Sequence, residues 1–271
     1  MDRKYYDEHD TFAPTPQLST FRLLMALCCL HHLMPYHYDV SQAFLQAPIP
    51  EGEWYYIRFP KGCTHPKGYI GAYMRMALYG HRTSGSLWAK TVHQFMADTF
   101  PTLHRSTYDE CLYIGEIDGQ KLFVLVYVDA FIVCCADERV RAHFHHHLTT
   151  NFKSTYSGIL QQFLQLKIDV RTTPDSTGLV YPIRIDVSHE RCIIDLCTKF
   201  DINTDKPASR SPMAEGLSLP IPQPEYVDRS IETPVRSLIY SLLWLTRTVR
   251  PDVYYHVTVL PPTHGQGPDC S

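Results

Sequence analysis

Two aspartates stand where the surrounding sequence gives no structural reason for a charge. Asp129 lies between the apolar runs 122–128 and 131–135, each apolar on both faces in the manner of a buried strand. A carboxylate buried there without partners costs several kcal/mol, so it must sit at an open turn, carry a proton, or face a cation. A turn aspartate that binds its own backbone satisfies the first condition and remains open on these grounds. Asp39 closes a second short strand candidate, residues 36–40, and is followed by Ala43, Phe44 and Leu45. Two strand-end carboxylates supply the hard oxygen ligands that divalent cations require, and a pair of such cations serves phosphoryl transfer.

Other chemistry-bearing groups are less pointed. Residues 54–105 hold seven Lys and Arg against the single Asp98, whereas residues 1–53 hold three against seven acidic groups. In the basic stretch Tyr55, Tyr56, Phe59, Tyr69, Tyr73, Tyr79 and Trp88 interleave with Arg58, Lys61, Lys67, Arg75, Arg82 and Lys90. Such a mixture lets bases stack while cations hold phosphates; a solvated basic face whose aromatics point inward reads the same way. His143, His145, His146 and His147 are dense, but only His143 with His146 or His147 shares a helix face, which favours a solvated helix over a metal site. Neither a Ser-His-Asp signature nor a glycine-rich phosphate loop is present.

The elements that must hold these groups can be read from periodicity. Residues 18–34 have the spacing of a buried helix, capped by Ser19 or Thr20. Ser84 or Ser86 is expected to cap a helix to Phe100, with Leu87, Trp88, Val92, Phe95 and Met96 on its apolar face. Residues 112–117 and 122–128 read as strands about an Asp118-Gly119 turn, and residues 131–135 as the strand after Asp129. A polar helix at 139–152, strands at 163–170 and 181–185, and helices at 191–200 and 235–246 follow. Six prolines between 207 and 234 mark a linker or extended arm.

The whole chain has 271 residues, 44% apolar and 20% charged, with a net charge of −3. That is a folding composition, and its charge argues against coating nucleic acid by bulk electrostatics. Nine cysteines, an odd number with no C-x-x-C, read as reduced buried thiols of an intracellular protein. No apolar stretch approaches the ~20 residues that span a bilayer. The expectation is a soluble protein of the cytoplasm or nucleus, not secreted, with no membrane partner.

Asp39-Val40-Ser41-Gln42-Ala43-Phe44-Leu45 resembles the D-V-x-x-A-F-L motif of copia-type retrotransposon reverse transcriptases, and Tyr127-Val128-Asp129-Ala130 resembles their Y-V-D-D. Tyr6-Asp7-Glu8 with Thr11-Phe12-Ala13-Pro14 is similar to their Y-x-E-T-F-[SA]-P. Ala77-Leu78-Tyr79-Gly80 with Ser84 and Trp88 is similar to A-L-Y-G-L-K-Q-S-P-R-x-W. Phe163-Leu164 matches an F-L-G strand, and residues 236–253 match the block ending T-R-P-D-I.

The resemblance implies an α+β right-hand polymerase palm, an antiparallel sheet with helices on one face, with partial fingers and a short thumb or connection. Residues 1–160 would form partial fingers and palm. Residues 161–206 would hold the primer-grip strand and the start of the thumb, 207–234 a proline-rich linker, 235–260 a thumb or connection helix, and 261–271 a tail. Asp39 and Asp129 would be catalytic and, with the backbone carbonyl of Val40, would hold Mg2+, with Mn2+ as the other candidate. Phe44 would select deoxynucleotides by colliding with a ribose 2′-hydroxyl; core packing is its other reading. Arg58, Arg75, Arg82, Phe163 and Leu164 would contact an RNA or DNA template-primer.

The chain also departs from the pattern. Ala130 replaces the second aspartate of the terminal pair, and a methyl group cannot ligate a metal. Thr83, Gly85 and Ser86 replace residues expected to touch nucleotide and template, and Gln165 replaces the glycine of F-L-G. By the same resemblance the chain reads as a partial copy, without the first fingers strands, RNase H, protease or integrase. The expected activity is RNA-directed DNA polymerisation, impaired or lost, with a dead nucleic-acid-binding remnant or a relic as the alternative.

Overall fold

The computed structural model of the chain describes residues 11–62, 68–205, 211 and 229–259. Helix α1 (Leu18–Leu30) leads into β1 (Met34–Val40) and a 3-10 turn at Ala43–Gln46, followed by the short pair β2 (Tyr56–Arg58) and β3 (Gly71–Tyr73). Helix α2 (Ser84–Thr99), β4 (His104–Arg105), β5 (Leu112–Ile117), β6 (Gln120–Tyr127), β7 (Ala130–Cys135), α3 (Glu138–Asn151) and β8 (Ser154–Ile159) come next. After them are β9 (Gln162–Phe163), β10 (Leu166–Pro174), β11 (Val180–Ser188), α4 (Glu190–Lys199), α5 (Arg229–Thr248) and α6 (Tyr254–Thr258). Two compact units are distinguished: Met1–Gln161 with Val170–Ile185, and Gln162–Asp169 with Asp186–Ser271.

The first unit is organised by a six-stranded sheet in the order β4-β5-β6-β7-β1-β8. The four pairings β4·β5, β5·β6, β6·β7 and β7·β1 are antiparallel, as is β1·β8. β6 and β7 are apolar on both faces because both faces are covered. Tyr38, Val40, Val124, Val126, Phe131 and Val133 join one core with Leu87, Trp88, Val92 and Met96 of α2 and Val140, Phe144 and Leu148 of α3. Alternation along a strand sends Leu125, Ile132 and Cys134 to the opposite face, where they are also fully buried.

That second face corrects the expectation of helices on one side. Cys134 lies against Cys28 of α1, so α1 lies across the sheet from α2 and α3. Burial pushes the Cys134 thiol well above its ordinary range. Cys28, Cys111, Cys134 and Cys135 are buried free thiols; Cys29, Cys192 and Cys197 are only half-buried, and Cys63 and Cys270 lie outside the described residues.

Three further expectations change. Gln17 precedes α1 without a side-chain cap, and its N–H is taken instead by the Asp109 carboxylate at 2.9 Å. Thr83 precedes α2, so Ser84 and Ser86 are inside the helix. The strand expected at 163–170 is broken by a turn: Phe163 pairs with Leu166, leaving Leu164 and Gln165 as a two-residue loop. Most of the proline-rich stretch at 207–234, the block at Tyr6–Glu8 and the tail at 261–271 lie outside the described residues, although α5 begins at Arg229 and carries Pro234 inside it.

Candidate active site

Asp39 and Asp129 are brought together by strand register. β1 pairs with β7 so that Asp39 stands opposite Ala130, and the Val40 N–H donates to the Asp129 carbonyl at 2.8 Å. Directly opposed residues share a face, with Cβ atoms roughly 5 Å apart. The methyl group of Ala130 therefore occupies the cross-strand position beside the Asp39 carboxylate. Asp39 is exposed, and Asp129 and Ala130 are half-buried.

Asp129 belongs to a two-residue turn, since Tyr127 pairs with Ala130. Val128 takes a φ of +51°, a backbone conformation that favours glycine. A β-branched residue in the left-handed region is an outlier and costs about 1–3 kcal/mol. Such a conformation persists only where its surroundings determine it. Here Trp88 of α2 donates its indole N–H to the Val128 carbonyl at 2.6 Å, and Val40 holds the next carbonyl. The turn is thus tied from the helix on one side and from β1 on the other.

Neither carboxylate takes a hydrogen bond or ion pair from the described residues, so Asp129 does not cap its own turn. His37, two residues before Asp39 and on its face of β1, has its pKa lowered by burial, although Asp39 and Asp129 pull it upward. No group of three metal-ligating side chains occurs among the described residues. The donor set is nonetheless of the hard-cation kind: two carboxylates and a nearby backbone carbonyl, with no thiol or second imidazole. Magnesium characteristically uses one or two carboxylates and takes its remaining oxygens from water and phosphates.

The neighbouring motif is a brace for this turn. Ser84 donates to the Leu78 carbonyl at 2.6 Å and accepts from the Leu78 N–H at 3.1 Å, closing the loop that delivers α2. Trp88, one turn on, is 2% exposed and packs edge-on against Phe152. Thr83 and Ser86, expected to touch nucleotide and template, are 3% and 4% exposed and face the interior. Gly85 also has little room, since a Cβ there would come within 2.9 Å of Ala13. Arg82 is the exposed cation of the segment.

Phe44 follows β1 on the 3-10 turn, half-buried against the core and 4.9 Å from the Tyr79 ring. With Trp88, Val126, Val128 and Tyr113 it lines a mostly apolar cavity of about 90 Å3, bordered by the Arg105–Glu110 ion pair at 2.7 Å. Nothing in the sequence pointed to this cavity, because its walls come from five separate segments. Arg58 and Arg75 are exposed on and beside the β2–β3 hairpin, while Lys67 lies outside the described residues.

The other unit holds Phe163 and Leu164. Phe163 is 4% exposed. Leu164 and Gln165 both have positive φ, +49° and +66°, the pattern of a type I′ turn, in which a glycine belongs. Gln165 therefore takes up strain at the position where the F-L-G pattern has its glycine. On α3, His143 and His147 share a face, with ring centroids 4.8 Å apart, while His145 turns to Tyr38 and Tyr156.

Residues 2–178 match the protein family described as reverse transcriptase (RNA-dependent DNA polymerase). The chain is 25% identical over 264 residues to a retrovirus-related Pol polyprotein from transposon TNT 1-94 of Nicotiana tabacum, covering 95% of this chain and 19% of that protein. It is 25% identical over 263 residues to the Pol polyprotein from transposon RE1 of Arabidopsis thaliana, covering 94% of this chain and 16% of the other. A putative transposon Ty5-1 protein of Saccharomyces cerevisiae is 23% identical over 224 residues, 82% of this chain and 67% of its own. The chain thus spans less than a fifth of either plant polyprotein. Among the described residues no helix is long and apolar enough to cross a membrane.

Proposed function

Because the chain belongs to the reverse transcriptase (RNA-dependent DNA polymerase) family and corresponds to that region of copia-type transposon polyproteins, we propose that its six-stranded sheet is a polymerase palm whose RNA-directed DNA synthesis is impaired at one carboxylate. The observation that carries this reading is the register of β1 and β7, which sets Asp39 opposite Ala130 and fastens Val40 to the Asp129 carbonyl. Asp39, Asp129 and the Val40 carbonyl would hold Mg2+ or Mn2+. A cation bound there supplies charge neutralisation for a nucleotide's phosphates and acidifies a primer hydroxyl.

The chain's own residues set the limits of that chemistry. With alanine in the third position the cluster carries one negative charge fewer, which weakens attraction for a divalent ion. Phe44, held by Tyr79 and the core, is the proposed selector against a ribose 2′-hydroxyl. Arg58, Arg75 and Arg82, all exposed, are the proposed phosphate contacts for template-primer; Phe163 anchors a turn whose Leu164 is the proposed primer contact in the second unit. Nucleic-acid binding would outlast catalysis, since none of these cations depends on position 130.

Primer extension on a homopolymer template tests the reading, with deoxynucleotides and either Mg2+ or Mn2+. Ala130→Asp is expected to raise extension about tenfold or more over the unaltered chain, and Asp39→Ala to reduce it to background. An Ala130→Asp protein no more active than Asp39→Ala would sink the assignment of these carboxylates.

A further inference from the structure

We propose that the exposed face of the β2–β3 hairpin is a base-stacking platform for single-stranded nucleic acid, built by Trp54, Tyr56 and Tyr73 with Arg58 beside them. The inference rests on the nucleic-acid-binding reading above and adds which chemical part of the strand is bound.

The alternation of the hairpin makes the argument. Tyr56 pairs with Tyr73 and Arg58 with Gly71, and the ladder extends through Met74 N–H to Tyr55 carbonyl at 2.8 Å and Phe59 N–H to Ile70 carbonyl at 3.0 Å. Residues 55, 57, 59, 72 and 74 therefore share one face, and all are half-buried. Residues 56, 58, 71 and 73 share the other. On that outer face Tyr73 is 64% exposed and Tyr56 48%, and Trp54, just before the strand, is 75% exposed. Large rings facing solvent in a row are the informative case, because ordinary folding places them inward.

The rings form a linked row. Trp54 meets Tyr73 at 5.6 Å and Tyr56 meets Tyr73 at 5.8 Å, both edge to face. Edge-to-face contacts leave ring faces uncovered for a third partner. Gly71 serves the arrangement: the Tyr56 ring folds over it, and a Cβ there would strike both that ring and the Ile57 carbonyl. The hairpin and its flanks, residues 54–62 and 68–82, contain Arg58, Lys61, Arg75 and Arg82 and no acidic residue. Glu53, next to Trp54, accepts from the Tyr55 hydroxyl at 2.8 Å, and the setting of the aromatic row is otherwise cationic, which complements a polyanion that carries flat apolar rings. Single-stranded nucleic acid is that polymer, and duplex is not, because its bases are already stacked.

Binding is read from the fluorescence anisotropy of an end-labelled strand, a signal that survives the loss of Trp54. The chain is titrated at fixed salt with a thymidine 12-mer and with an abasic phosphodiester strand of equal length and charge. The unaltered protein is expected to bind the thymidine strand more tightly, and Trp54→Ala and Tyr73→Ala each to weaken that binding about five- to hundredfold. Binding of the abasic strand, and the salt dependence, should stay unchanged in both variants. Equal affinity for the two strands overturns the stacking platform and leaves the cationic reading standing. No binding of either strand at low salt overturns both. Loss of self-association in Trp54→Ala without loss of thymidine binding also overturns the proposal and identifies the row as an interface between copies of the chain.

Discussion

The β6–β7 hairpin and the β2–β3 hairpin are built on the same antiparallel plan and covered differently. β6 and β7 lie in the interior of a six-stranded sheet, buried on both faces, with a strained tip tied by Trp88 and Val40. β2 and β3 form a two-stranded sheet, half-buried on one face and open on the other. A carboxylate that must meet a cation at fixed geometry needs the first kind of support, because burial and cross-bonds hold a turn that its own residues would not choose. A surface that receives a flexible strand needs the second. The difference teaches that charge and aromatic content do not separate the two proposed roles; what covers each face does.

Breaking the ties should expose this contrast most. Trp88→Ala removes a buried indole and the hydrogen bond to Val128, with an expected loss of about 3–5 kcal/mol in denaturant unfolding. Trp88→Phe, which keeps most of the ring, should cost less, and the same truncation at exposed Trp54 should move stability by under about 0.5 kcal/mol. Equal costs at Trp88 and Trp54 would erase the distinction.

A smaller effect concerns strained turns. Gln165 is exposed at φ +66°, so Gln165→Gly should stabilise the second unit by up to about 1 kcal/mol, read as a raised unfolding midpoint. Destabilisation would mean that the glutamine side chain is itself held.

The smallest is electrostatic. The pKa of His147 is lowered by burial and by His143 and His146. Its folded value lies below its unfolded one, so the stability tied to neutral His147 is complete above an unfolded pKa of about 6.5 and is lost as pH falls through that region. His143→Ala should raise the His147 pKa in an NMR titration, and an unchanged value would show that His143 does not contribute.

Much of the candidate site could be read directly. Asp39 and Asp129 are conspicuous because a carboxylate between apolar strands needs a reason, and Asp118-Gly119 is a turn in the structure, at φ +51° and +74°. Trp88 was legible as a helix residue with an apolar face, but its bond to Val128 links positions 40 residues apart in sequence and leaves no local mark. The break at Leu164–Gln165 escaped because neither residue is a turn former; the pairing of Phe163 with Leu166 imposes it. Thr83 and Ser86 look like polar surface residues and are buried because α2 presents that side to the core. The outward aromatics of β2–β3 were ambiguous, since interleaved aromatics and cations fit either face.

By itself the sequence marked the groups that could do chemistry: two strand-end aspartates, an alanine beside one of them, and a cationic aromatic stretch. Those facts are properties of residue type and spacing, and they hold in any fold. Only the tertiary structure decided that Ala130 faces Asp39, that Val128 is held in a conformation valine avoids, and that Trp54, Tyr56 and Tyr73 face water. Register, strain and exposure depend on contacts between segments far apart in the chain, whose free energy outweighs local preference.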